Sequence, residues 1–394
     1  MAAPSPSRVG NLEVFIDEQQ GRNTVEVQLP THATRYRIVE AVIHSSLCLL
    51  ETTQGRQSLA HVAQRIVEER DGMKLSRRRQ QTHLYRYPLE DMPRWIDRFL
   101  TSMRNNFPTV FITVDAEGEA AAKKAHQDWG NDMGAFIAKD AGNMFLHEVL
   151  IDNMTEVFSQ GQAGRESYEL FKFQMIICVA HEIVHFLTSF LTGKGQPDTP
   201  PRVTASPYGK TTIGESGRYW EHIVLGGFLE CWSNPNDPDL RQPGRPFLFE
   251  SGPHSTARGK QVCRRYIDEV LNGQFSFPIK TIPQTPAMTR RDLEKQKSLE
   301  TTRLRDKILS KRLSRPSSPP RGLYAGDAAR FRAIMRETIP MYGGSYGPGG
   351  SYGPGGSYGP GGSYGPGGSY GPGGSYGPGG PSQAPFPRQP WSRG

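Results

Sequence analysis

Apolar residues recur along this chain in two rhythms, every second position in some stretches and every third or fourth in others. Leu12–Ile16 and Thr24–Leu29 alternate apolar and polar side chains, which predicts two strands joined across Gln20-Gly21-Arg22-Asn23 as a hairpin. Helical spacing takes over at 35–51 and again at 57–70. In the second stretch Leu59, Val62, Ala63 and Ile66 share a face, and Asp71-Gly72 closes it. A further helix is predicted over Arg94–Asn105 and a strand over Thr109–Val114. Residues 118–140 begin Ala-rich and helical, and Phe145–Ile151 reads as a strand. A long apolar helix follows over Ser167–Thr192, then a Pro/Gly/Thr-rich loop over 193–212 and an amphipathic helix over 214–230. Phe247–Phe249 reads as a short strand, and Ala257–Leu271 as a last helix stopped by Asn272-Gly273. The fold class expected is α+β and helix-rich.

Composition limits how much of the chain can join that fold. The 394 residues include 44 Gly and 32 Pro. From Ser345 to Gly380 the unit Ser-Tyr-Gly-Pro-Gly-Gly repeats six times, a composition with too little apolar surface to build a core. Four segments are therefore expected: a leader over 1–9, a folded body over 10–285, a basic helical or linker segment over 286–342, and a disordered tail over 343–394.

Charge follows the same division. Residues 288–394 carry 16 Lys+Arg and 6 Asp+Glu, while the remainder carries 31 and 33. The net +8 thus belongs to the C-terminal part and says nothing about chemistry in the body. Within 288–315, Leu293, Leu299, Leu304, Ile308 and Leu313 lie among ten basic residues. A solvated basic helix is one reading. A surface for an acidic partner (RNA, a membrane surface or an acidic protein) is the other. Cys48, Cys178, Cys231 and Cys263 are widely spaced and read as free thiols of a reducing compartment. The first twenty residues lack a signal-peptide pattern, and Phe173–Leu191, the most apolar window, includes His181, Glu182 and His185. It is expected to be a buried helix rather than a transmembrane segment, in an intracellular (cytoplasmic or nuclear) protein.

Chemistry concentrates in that window. His181-Glu182-Ile183-Val184-His185 puts two imidazoles one helical turn apart on one face, within reach of a single Zn2+. Glu182, next to the first histidine, can act as general base toward metal-activated water and return the proton to a leaving amine. The flanks are apolar, so three ionisable side chains are costly there unless paired or metal-bound. A catalytic zinc needs a third protein ligand. The segment from Gly214 to His222 offers Glu215 and, as the alternative, Glu221, with Gly214 and Gly217 allowing close backbone approach. Glu215 shares a face with Arg218, Tyr219 and His222, whereas Glu221 lies with the apolar residues. Tyr219 and His222 are candidates to stabilise a transition-state oxyanion, as are Tyr208 and His254 in loops. His147-Glu148 has no ligand at i+4 and reads as strand.

His181-Glu182-x-x-His185 followed by Gly214-Glu215 on a second helix resembles the gluzincin branch of the zincin metallopeptidases. The likeness spans about residues 165–232. It implies a zincin-like domain with an active-site helix and a glutamate helix. His181, His185 and Glu215 would be zinc ligands, Glu182 the general base, and a peptide or protein the substrate. The chain departs from that pattern at Tyr219, where the family often has an aspartate orienting the first histidine. The longer HExxHxxGxxH signature is absent, because Phe186–Ser189 contains no further histidine. The layout is also similar to uncharacterised HExxH-containing proteins of filamentous fungi. The function expected is zinc-dependent peptide hydrolysis. The alternative is an inactive zinc-binding scaffold that makes its contacts through the basic segment and the repeats.

Overall fold

The computed structural model describes residues 9–20, 23–76, 83–113, 122–193, 198–205, 213–232, 243–252, 255–283 and 285–296. The Ser-Tyr-Gly-Pro-Gly-Gly repeats, Tyr208, His254 and the basic segment from residue 297 onward lie outside them.

The N-terminal half is built on β1 (Val14–Gln20), β2 (Asn23–Gln28), β3 (Thr109–Thr113), β4 (Ala122–His126) and β5 (Gly142–His147), in the order β2-β1-β3-β5-β4. β1, β3 and β5 run parallel, and β2 and β4 close the two sides antiparallel. Strand alternation divides the sheet's faces. Val14, Ile16, Val110, Ile112, Met144 and Leu146 are buried, while Phe15, Phe111 and Phe145 stack in register across the other face at 5.5 and 5.4 Å.

Between β1 and β3 run α1 (Thr34–Leu50), α2 (Thr53–Ser76) and α3 (Met92–Asn105). After β5 come α4 (Glu148–Ser159) and α5 (Arg165–Thr192). α5 is the spine of the molecule. From residue 171 to 192 only Lys172, Cys178, His181, Glu182 and His185 are partly exposed. An apolar helix covered on every other side belongs in a core. By length and composition α5 could cross a membrane, but 78% of its apolar window is buried inside the protein.

After α5 the chain forms α6 (Ser216–Leu225) and an antiparallel sheet of β6 (Phe228–Trp232), β7 (Arg245–Phe249), β8 (Arg258–Gln261) and β9 (Met288–Thr289), in that order. α7 (Arg264–Leu271) lies between β8 and β9. Gly226 takes a left-handed φ of 79° at the C-cap of α6, a conformation that costs glycine little and ends the helix there.

The protein is α+β and helix-rich, as expected, and five local expectations change. In place of a helix opening at 118, the described residues have strand β4 from Ala122, because pairing with β5 outweighs alanine's helix propensity. The strand read over 145–151 stops at His147, and Glu148 opens α4. The helix read over 214–230 ends at Leu225, its last residues being β6. The helix read over 257–271 starts only at Arg264, after β8. Met288 and Thr289, read as the start of the basic segment, form β9 of the second sheet instead, and residues 290–296 continue as a helix. There Arg290 is buried against Glu230, with 3.0 Å from Nε to each carboxylate oxygen, and lies over the Phe249 ring at 4.1 Å. All four cysteines are free thiols.

Candidate metal centre

α5 carries His181, Glu182 and His185 at partly exposed positions in its otherwise mostly buried length. The ligand atoms of these three all lie within 4.8 Å of one another. The imidazoles meet through their Nε2 atoms, 3.3 Å apart. Glu215, at the N-cap of α6, completes a triangle: its Oε1 lies 2.5 Å from His185 Nε2 and 3.3 Å from His181 Nε2. A zinc ion bonded at about 2.0–2.2 Å to each of three such donors would separate them by roughly 3.2–3.5 Å. Two of the three separations agree, and the Glu215–His185 pair is drawn closer.

α6 is held where Glu215 can reach. The Gly214 and Glu215 amides donate to the Thr199 and Val203 carbonyls, both at 2.9 Å, which moors the helix start to the preceding loop. Glu215 Oε2 accepts the Arg218 amide at 2.8 Å as a cap, leaving Oε1 for the histidines. Gly217 lets the two helices touch. A Cβ there would sit 2.5 Å from Cδ2 and 2.6 Å from Cε1 of His181. Trp220, fully buried, donates from Nε1 to Ser58 Oγ at 3.2 Å and ties α6 to α2.

Both imidazoles are also held from behind. Nδ1 of His181 donates to Glu221 Oε1 at 2.6 Å, and Arg218 Nη1 donates to Glu221 Oε2 at 2.8 Å. Glu221 therefore sits on the opposite side of the His181 ring from the Nε2 triangle. That geometry corrects its reading as an alternative third ligand, since one ring cannot present Nδ1 and Nε2 to the same ion. As a carboxylate bonded to Nδ1, it orients the His181 ring. His185 Nδ1 lies 3.3 Å from Ser216 Oγ, which in turn meets Thr188 Oγ1 at 3.3 Å and Thr199 Oγ1 at 3.1 Å. Ser216, Thr188 and Thr199 carry no motif and went unnoticed in the sequence. Only Thr188 gives a signal, polarity within the apolar run of α5; Thr199 lies in a loop and Ser216 opens α6.

The other sequence candidates fall elsewhere. Tyr219 Oη is 3.1 Å from His61 Nε2 on α2, with the rings stacked, so its hydroxyl is already engaged. His222 is on the outward face of α6, exposed and stacked on Phe228 at 5.8 Å, which removes it from the cluster. His147 is buried at the end of β5.

Electrostatics in the cluster follow from burying two imidazoles among three carboxylates. Burial alone would lower the His181 pKa, but Glu215 and then Glu221 outweigh it and push it up to about 10. Burial raises Glu182, only partly countered by the histidines. Burial likewise works on Glu215, but the two imidazoles hold it well below the carboxylate range. A protonated His181 cannot ligate, so any metal taken up there would have to displace its proton.

Lys124 of β4 reaches the same region. Its Nζ donates to the His185 carbonyl at 3.3 Å and to Ser189 Oγ, and it lies 5.3 Å from the Phe186 ring centre. Burial lowers its pKa to about 8 despite Glu182 and Asp198. Below pH 8 the folded protein holds a desolvated ammonium. That cost fades between pH 8 and 10.5, where the unfolded chain keeps the proton longer. Lys124→Met is therefore expected to be more stable than wild type near pH 7 by about 2–3 kcal/mol, an advantage that disappears by pH 10.5. Denaturant melts of both proteins across this range measure it.

Compared with known proteins, the chain matches no family model, no curated protein and no solved structure.

Proposed function

We propose that this protein is a zinc-dependent metallopeptidase of the gluzincin kind, with His181, His185 and Glu215 as metal ligands and Glu182 as general base. One observation carries the reading. Two imidazole nitrogens and a carboxylate oxygen converge at 2.5–3.3 Å beside a largely buried helix, each held by a partner outside the triangle. An accidental pair of core histidines has no need of such support. The donor set, two nitrogens and one oxygen, suits Zn2+.

Zinc held there would lower the pKa of water and polarise a carbonyl. The chain's own residues supply the rest. Glu182, on the same face as both histidines, accepts the proton that water loses as it attacks the scissile carbonyl. It then donates that proton to the departing amine nitrogen. Its raised pKa favours the second transfer. Glu221 and Ser216 keep the imidazoles oriented, and Lys124 balances part of the negative charge of Glu182. β4 is the outermost strand of its sheet among the described residues and packs on α5 through Lys124, so an extended peptide could add to its edge beside the site.

Metal analysis of the purified chain tests the reading, together with peptide cleavage assayed before and after chelation. The expected result is about one zinc per chain, and hydrolysis that stops on chelation and returns with Zn2+. A chain that retains no zinc overturns the reading.

A further inference from the structure

Arg218 touches both acidic partners of the histidines. Its backbone amide caps Glu215 Oε2 at 2.8 Å, and its guanidinium Nη1 holds Glu221 Oε2 at 2.8 Å, while the other oxygen of Glu221 accepts from His181 Nδ1 at 2.6 Å. Glu221 is nearly inaccessible, with 4% of its side chain exposed against 17% for Arg218. A carboxylate so buried stays ionised and aimed only while both of its oxygens are engaged.

We infer that Arg218 is a positioning residue that sets the metal affinity of the His181–His185–Glu215 site through Glu221. The inference rests on the metal-site reading above. Two opposing effects decide its sign. A guanidinium near a divalent cation repels it, so field alone would make loss of Arg218 tighten binding. But the Glu221 charge at 2.8 Å cancels most of that field beyond the pair. What remains is geometry. Without Arg218 the Glu221 carboxylate is free to turn, and the Nδ1–H of His181 loses its acceptor. Partners of this kind alter metal affinity by about 10–100-fold.

Zinc affinity of the full-length protein, read by competition with a chromophoric chelator, tests this across wild type, Arg218→Met, Arg218→Lys, Glu221→Gln and the Met/Gln double variant. Arg218→Met is expected to raise the Kd about 10–100-fold. Arg218→Lys should recover part of the loss, keeping the charge without the planar fork. The double variant should fall well short of the product of the two single effects, because both act through one carboxylate. Unchanged or tighter binding by Arg218→Met overturns the inference, and so do fully multiplicative effects. So does an Arg218→Met variant whose chelated form melts well below chelated wild type, since that marks a structural role. A wild-type chain that binds no zinc defeats the site reading itself, a separate failure visible before any variant is compared.

Discussion

Glu182→Gln is expected to lower kcat/KM for peptide cleavage by about 10²–10⁴-fold while the protein keeps its zinc. The substitution preserves the shape of the side chain and removes only the basic oxygen. Glu182 is not one of the three converging donors, so metal content should hold at the wild-type level. Initial rates on a fluorogenic peptide, paired with metal analysis of the same preparation, make the measurement. Loss of both zinc and activity would mean that Glu182 is a ligand rather than a base. Turnover surviving at the wild-type rate would remove it from the chemistry altogether. If neither protein cleaves any peptide but both hold zinc, the scaffold reading takes over.

Gly217→Ala is the second large effect, and it replaces no ionisable side chain. The added methyl would sit 2.5–2.6 Å from two carbons of the His181 ring, well inside van der Waals contact. The imidazole must move or α6 must back away, and either shift carries Glu215 out of register with His185. Overpacking of this kind costs about 1–3 kcal/mol. A misplacement of about 1 Å at a reacting centre costs about 10²-fold in rate. The variant should therefore fold with a lower melting temperature, bind zinc about 10–100-fold more weakly and lose about 10²-fold in kcat/KM. Chelator competition and steady-state kinetics separate the two losses. Wild-type affinity in this variant would mean that the helices do not approach as closely as described.

Much of this arrangement could be read from residues alone. The 3.6-residue spacing of His181 and His185, the apolar flanks and the Gly-Glu at 214–215 were visible as pattern, and the structure brings those side chains together. The orienting role of Glu221 was not visible. Its place on the apolar face of α6 was, but only the packing of α6 on α5 turns that face toward Nδ1 of His181. Ser216 was hidden for the same reason, since a hydroxyl at a helix start usually signals a cap. The second sheet was the hardest to foresee. Arg258–Gln261 and Met288–Thr289 are short and polar, and they become strands only because a neighbour is already there to pair with. Lys124 lies in a run whose alanines favour helix, and its place beside the site depends on β4 pairing with β5.

The burial of α5 has a consequence for how this protein tolerates change. The same side chains that fill the interior also hold two imidazoles in line. A methyl gained or lost at Val184 or Phe186, both fully enclosed, would tilt the rings before it threatened folding. Catalytic sites allow only about half an ångström of such drift. Conservative interior substitutions along this one helix should therefore disturb the histidine cluster while leaving the protein folded, a sensitivity that α1 and α3, which carry none of its residues, would not share.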